Sequence, residues 1–490
     1  MFGLSHAPDL TGNRLRWFNV ERPLSLEDLR GRLVILDFWT FCCINCMHVL
    51  STLKVIEETF PEEVVVIGIH SPKFEAERDA ANVAQAIARY DIRHPVVHDP
   101  EMTLWRAYYV RAWPTLLFLS PDGMIIGSVP GEPDRLPLTR GIGKMIGDWK
   151  GKGMMAPKPL ALRRPPKTDG LLRFPGKIKP LRGAGDGKLW AVADSGHHQI
   201  VVLDDDGCEV RRFGGGEAGF IDSDAANSAF RNPQGLICGA GVIYVADTGN
   251  HAIRQIDLEK DEIVTLAGTG ERGMALRWPE LGSEAALASV WDLELAGERL
   301  FFANAGTHQL GELDLASNQV RSLAGTSGED IIDGPSMEAL LAQPSGLALD
   351  GKAGTLYFAD SETSSVRALN LKSPSRVDTL VGAGLFDFGA INGPFETARL
   401  QHPLGLTWIE GALVVADSYN NRLRVLSFNN RQVNDLGENR FTCADNSCLT
   451  VSEPAGVAAD GNGRLLLADT NNHRVVEIRR REETLSVWAE

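Results

Sequence analysis

The chain has 490 residues, too many for one hydrophobic core, so two or three domains are expected. A formal net charge of −15 excludes a general binder of nucleic acid or of anionic membrane, since both need basic surface. In an otherwise ordinary composition, 50 glycines point to many tight turns and short strands.

Met1 to Asp9 carry neither a basic n-region nor an apolar h-region. No stretch approaches the roughly 18 apolar residues of a membrane span, so a cytoplasmic location is expected. Three of the 7 cysteines crowd into Cys42, Cys43 and Cys46, the usage of a reactive site in a reducing compartment.

Residues 1–150 form the first expected domain. Arg32–Thr40 and Glu63–His70 read as buried strands, and Asn45–Phe60 and Lys73–Tyr90 as helices. Pro95–His98 is a short strand, Met102–Tyr109 a short helix, and Thr115–Leu119 with Met124–Val129 a hairpin. This alternation predicts a mostly parallel sheet covered on both faces. Residues 151–170, rich in Pro, Gly, Lys and Arg, read as a linker whose basic residues are solvated.

Residues 171–490 change to an all-β pattern that repeats. A Pro-x-Gly-apolar motif or a near match stands at Pro175, Pro233, Val290, Pro344, Pro403 and Pro454. Each is followed by an apolar run ending at Asp194, Asp247, Asn304, Asp360, Asp417 or Asp469. The two markers in phase predict six four-stranded units arranged radially, a six-bladed β-propeller, with a linear solenoid as the alternative. The Asp residues read as caps of Asx-type turns and not as metal ligands. Gly268–Gly273 resembles a phosphate loop, but no helix opens after it, so it is discounted.

The segment from Asp37 to His48 places Cys-x-x-Cys where a strand passes into a helix. At the helix N-terminus, Cys43 meets unpaired N–H groups and the positive end of the dipole, both of which favour its thiolate. That makes Cys43 the nucleophile and Cys46, one turn in, the resolving thiol. Zinc is the competing use of such a pair, yet only His48 is a nearby further ligand. His48 itself reads as a surface histidine. Cys208 and Cys238 read as packing residues, and Cys443 and Cys448 as two free thiols or a local disulfide.

Asp37-Phe-Trp before Cys43-Ile-Asn-Cys46, and Trp113-Pro114-Thr115 before a hairpin, resemble the thioredoxin active-site and cis-proline motifs. The N-terminal lead-in and the extra helix and strand at 73–98 are closer to the TlpA/DipZ-like branch. The later repeats resemble NHL repeats. The combination over nearly the whole chain is similar to the NHL-repeat-containing protein 2 family, whose motif also reads Cys-Cys-Ile-Asn-Cys. The resemblance implies an α/β thioredoxin-like domain followed by an NHL-type propeller. It implies that Asp37 is a buried carboxylate with a raised pKa that shuttles the Cys46 proton. It also implies that Pro114 is cis and holds the Trp113 backbone against a substrate cysteine.

Cys42 stands where thioredoxins carry Trp, and Ile44-Asn45 replaces Gly-Pro. The direction of electron flow is therefore open, and Cys42 is either a modulating thiol or a small packing residue. The expected function is thiol–disulfide exchange on protein cysteines, with the propeller as docking platform. It needs no cofactor beyond a Cys43–Cys46 disulfide. The expected partners are a protein substrate or redox partner, with no nucleic acid and no membrane, and the chain a monomer. The alternatives are a non-catalytic scaffold and a metal-dependent propeller hydrolase or lyase. The last needs ligands converging near Gln234, Asp292, Ser345 and Leu404.

Overall fold

The computed structural model describes residues 5–163, 170–181, 188–409, 411–436, 442–443 (backbone only), 449–479 and 484–490. The chain divides into two compact units, Met1–Lys167 and Thr168–Glu490.

The first unit is one six-stranded sheet. Its strands are β1 (Arg16–Phe18), β2 (Leu33–Trp39), β3 (Val64–His70), β4 (Val96–His98), β5 (Thr115–Leu119) and β6 (Ile125–Pro130). Their order across the sheet is β1-β4-β3-β2-β5-β6. Only β2–β3 and β3–β4 pair in parallel; β1, β5 and β6 join antiparallel, so the sheet is mixed and not mostly parallel. β2 and β3 are buried along their whole length because both faces are covered. On one face Leu33, Ile35, Val64 and Val66 meet Val49, Leu53 and Ile56 of α1 (Ile44–Thr59). Val34, Leu36, Ile67 and Ile69 point the other way, toward Leu10, Leu24 and Leu104.

The helix expected over Lys73–Tyr90 is split. A 3-10 turn covers Glu75–Arg78, and α2 (Ala80–Arg89) begins after Asp79, whose carboxylate accepts the Ala81 N–H and caps it. A short α3 (Thr103–Ala107) precedes the hairpin. The sequence reading missed α4 (Arg135–Gly151), because four glycines and a proline depress its helix propensity. Burial of Ile142 and Ile146 against α1 and the sheet supplies what propensity lacks. Beyond it, the Ala156 N–H donates to the Gly31 carbonyl and the Arg163 N–H to that of Asn19, so residues 152–163 are held on this unit.

The second unit is a six-bladed propeller whose blades each hold four antiparallel strands, and in the sixth a short outer strand, Thr442–Cys443, pairs in parallel with Thr484–Ala489. The inner strands are Pro175–Leu181, Gly235–Cys238, Val290–Ala296, Pro344–Asp350, Gly405–Ile409 and Pro454–Ala459. Each packs beside the next, and the sixth packs beside the first, so the ring is closed. Thr484–Ala489 completes the sixth blade, while residues 175–181 belong to the first, so no strand is shared across the closure. The glycine of the Pro-x-Gly marker has a packing cause. A Cβ on Gly235 would meet the Trp291 carbonyl at 2.5 Å, and one on Gly456 would meet that of Gly176 at 2.5 Å.

The marker side chains do not cap the turns that follow them, where none of the six makes a side-chain cap bond. In every blade one side-chain oxygen accepts the N–H of a residue that leads into the inner strand. Asp194 takes that of Arg173, Asp247 of Arg231, Asn304 of Ala288, Asp360 of Ala342, Asp417 of Gln401 and Asp469 of Ser452. Five of these side chains are charged, and each meets a guanidinium: Arg212, Arg254, Arg367, Arg424 or Arg474. The third blade has Gly311 where three other blades place that arginine, and there the acid is the neutral Asn304.

Four residues after each marker, the chain turns through a left-handed residue: His198, His251, His308, Ser364, Asn421 or His473. Each side chain accepts a backbone N–H of the following blade, from Asn232, Ser289, Gln343, His402, Glu453 and, closing the ring, Phe174. A histidine does this through Nδ1 only while neutral. Burial pushes His198 down to about 4. The unfolded chain therefore binds more protons than the native one as pH falls from histidine's ordinary value toward 4, and stability is lost in that window. His198→Asn, which keeps an acceptor as Asn421 does, should match the wild type at neutral pH. Near pH 4 it should be more stable by up to about 2 kcal/mol, read as the difference between urea midpoints at the two pH values.

No helix among the described residues is long and apolar enough to cross a membrane.

Candidate functional site

β2 ends at Trp39 and α1 begins at Ile44, so Cys43 is the N-cap, in extended backbone with no side-chain cap bond. Cys43 is half-buried, whereas Cys42 and Cys46 are buried, and all three are free thiols. Cys46 lies within hydrogen-bonding reach of Cys43. Burial first, then Cys43 and the charge of Asp37, hold the Cys46 thiol well above its ordinary pKa.

Asp37 is fully buried on β2, and neither carboxylate oxygen has a hydrogen-bond partner among the described residues. Burial pushes its pKa up to about 7, and His94 draws it back toward its ordinary value. The Trp113–Pro114 peptide bond is cis. Trp113 is half-buried with its ring 4.4 Å from that of Trp105, and Tyr109 beyond them is 86% exposed. The structure thus places Asp37, Cys43 and Cys46 together at the strand–helix junction.

One reading of this segment changes. His48 is not a surface residue: it is 9% exposed, and its Nδ1 lies 3.1 Å from the Glu132 carboxylate. Glu132 follows Gly131, whose N–H donates to the Pro114 carbonyl, so the pair connects α1 with the cis-proline strand end. Cys42 is fully buried, with its sulfur 3.8 Å from Thr40 Oγ1.

Glu77 carried no motif and was missed. Its buried carboxylate accepts the Thr40 hydroxyl at 2.6 Å and the Cys42 N–H at 3.1 Å. The other oxygen accepts the N–H groups of Lys73 and Phe74 at 2.7 and 2.8 Å. It thereby fixes the loop that presents Cys43.

In the propeller, the residues named for a metal in the channel are already engaged. Asp292 accepts the N–H groups of Leu293 and Leu347, and the Ser345 hydroxyl donates to the Gln343 carbonyl. The cations come from the chain itself. Lys177 Nζ donates to the carbonyls of Leu404 and Ala455, and Lys179 pairs with Glu294 at 2.7 Å. Burial lowers Lys177 to about 8. Cys208 is exposed on a hairpin turn and is no packing residue; Cys238 is half-buried. The Cys443 and Cys448 side chains lie outside the described residues.

Residues 31–125 match a family described as thioredoxin-like, and residues 452–478 match the NHL repeat. The chain is 36% identical over 495 residues to the Arabidopsis thaliana protein SUPPRESSOR OF QUENCHING 1, chloroplastic, covering 96% of this chain and 47% of that protein. It thus spans about half the length of that plant relative. The Bos taurus NHL repeat-containing protein 2 is 36% identical over 516 residues, covering 97% of this chain and 70% of that protein. The first unit alone is similar to the thiol-disulfide oxidoreductase YkuV of Bacillus subtilis, at 26% identity over 110 residues, 22% of this chain and 72% of that protein. With the two folds in this order and the match running nearly end to end, the chain belongs to the NHL repeat-containing protein 2 family.

Proposed function

We propose that the protein is a thiol–disulfide oxidoreductase acting on protein cysteines, with Cys43 and Cys46 as its redox pair and the propeller as a docking platform. The observation that carries this reading is the stack at the head of α1. A half-buried Cys43 stands at the N-cap, with a buried Cys46 thiol behind it and a buried, unpaired Asp37 close by.

The Cys43 thiolate attacks one sulfur of a substrate disulfide, whose S–S bond breaks and releases a thiolate. Cys46 is held protonated until it is needed. Asp37 takes its proton, and the Cys46 sulfur attacks Cys43, expelling the second substrate thiolate. The substrate gains two electrons and the pair becomes a disulfide; run backwards, the same steps oxidise a dithiol. By the family resemblance, the Trp113 backbone ahead of Pro114 is the part that receives an extended substrate strand. Similarity to YkuV adds support for the first unit. Cysteine usage favours a reducing compartment, the cytoplasm or an equivalent one.

The test is trapping with the full chain. Cys46→Ser should accumulate covalent adducts with proteins that dithiothreitol releases, and the Cys43→Ser/Cys46→Ser double variant should hold none. Failure of the unaltered chain to catalyse any dithiol-dependent disulfide exchange overturns the proposal and leaves a scaffold.

A further inference from the structure

The exchange reaction proposed above requires the Cys46 proton to reach solvent, and the inference here rests on that reaction. As the Cys46 sulfur attacks Cys43 in the mixed disulfide, the bond to the substrate sulfur breaks and a thiolate departs with the electron pair. The proton left behind sits on Asp37, which has no exposed surface. A sealed carboxyl must pass its proton on before it can serve again.

We propose that His94 and Glu57 are the outlet through which Asp37 exchanges its proton with solvent. The in-register neighbour of Asp37 on β3 is Gly68, and register neighbours in a parallel pair project to the same face. A Cβ on Gly68 would stand 2.9 Å from Trp39 Nε1 and 3.5 Å from His94 Nε2. Among the described residues, both nitrogens are buried without a hydrogen-bond partner, as are the two Asp37 oxygens. These unpaired atoms share the strip of sheet that Gly68 leaves without a side chain. Buried polar groups are seldom left unsatisfied, and a small polar space among them is where a bridging water belongs. The charge of His94 also reaches Asp37, where it opposes the effect of burial.

From there the route runs outward. His94 is buried, and its Nδ1 lies 3.2 Å from Oε2 of Glu57, a residue of α1 whose side chain is 31% exposed. The histidine is held in place through its backbone: its carbonyl accepts from Asn19 Nδ2 at 2.9 Å, and the next carbonyl, of Pro95, accepts the Gly68 N–H. An imidazole can accept a proton at Nε2 while releasing one from Nδ1. Reduction of the disulfide in the other half of the cycle sends a proton inward and restores the starting tautomer. The charged and titratable groups around this route are Asp37 on β2, with Cys46 and Glu57 on α1. On the histidine's own turn, Asp91 and Arg93 pair at 2.7 Å, and Lys54 of α1 lies 3.7 Å from Asp91.

In a full-length parent chain carrying Cys208→Ser, Cys443→Ser and Cys448→Ser, which removes the other reactive thiols, Ellman's reagent separates the two steps, because Cys43 releases one coloured thiolate and Cys46 then releases the second. His94→Gln should leave the first release unchanged and slow the second by about tenfold or more at roughly pH 6 to 7. The difference should close as pH rises and hydroxide deprotonates Cys46 directly. Glu57→Gln, a change at a partly exposed position, should slow the same step by a smaller factor. Added imidazole should restore part of the rate to His94→Ala, which a packing role for the ring would not produce. The inference is overturned if the second release of His94→Gln follows the wild type at every pH while Asp37→Asn slows it; the exchange reading then stands. No second release from the parent chain overturns both.

Discussion

Asp37→Asn is expected to stabilise the first unit at alkaline pH while disabling the second half of the reaction. A carboxyl raised to about 7 holds its proton in the native state at pH values where the unfolded chain has already lost it. Between roughly pH 4 and 7 the native state therefore binds more protons, and stability falls as pH rises through that window. The shift corresponds to roughly 4 kcal/mol lost above pH 7. Burying an unpaired amide costs about 1–3 kcal/mol of its own. The substitution should thus yield a net gain of about 1–3 kcal/mol at pH 8 and no gain near pH 4, measured by unfolding at both values. Resolution of the mixed disulfide should slow by about 10²-fold or more at pH 7, the usual range for a removed general base. A variant equally destabilised at every pH would show that Asp37 is ordinary packing.

The second large effect lies in the propeller. Arg254 is completely buried between Asp247 and Asp222, at 2.9 and 2.6 Å. Arg254→Leu leaves Asp247 charged and buried without a counterion, and should cost about 3–5 kcal/mol. Asp247 is raised to about 6 even with the arginine present, so the loss should be greatest above neutral pH. Adding Asp247→Asn should recover most of it. The double variant recreates the third blade, where Asn304 accepts the Ala288 N–H with no arginine beside it. A double-mutant cycle read by thermal unfolding gives the coupling directly, and additive losses would rule the account out.

Much of the architecture was legible because it is written in repeats or in short motifs. The six marker pairs gave the blades, and Cys43, Cys46 and the Trp113-Pro114 step gave the strand–helix junction and the cis-proline turn of the candidate site. What escaped detection depends on distance in the chain. Glu77 clamps Thr40 and Cys42 from a 3-10 turn, and His94 reaches Glu57 across the edge of α1; neither residue belongs to a pattern. The histidine, serine or asparagine four residues after each marker recurs visibly in the sequence, but its role does not. A turn explains its positive φ, but the acceptor it offers goes to the next blade, which a single repeat cannot reveal. α4 escaped because its order comes from apolar burial in spite of its glycines.

Five of the six interfaces between blades are spanned by the polypeptide itself, so separating those blades only lengthens a tether. The sixth is a seam that no strand crosses among the described residues, and side chains latch it. At the rim the Trp488 indole donates to the Asp205 carbonyl at 2.9 Å, and Arg464 pairs with Asp205. Midway, the Thr470 hydroxyl donates to the Pro175 carbonyl at 2.8 Å, beside the bond from the Phe174 N–H to His473. On the axis, Lys177 reaches across from the first blade to the Ala455 carbonyl of the sixth. With the Lys188–Asp460 pair at 3.3 Å, the ring therefore behaves as a clasp with several catches along one seam, and local opening begins where the chain offers no leash.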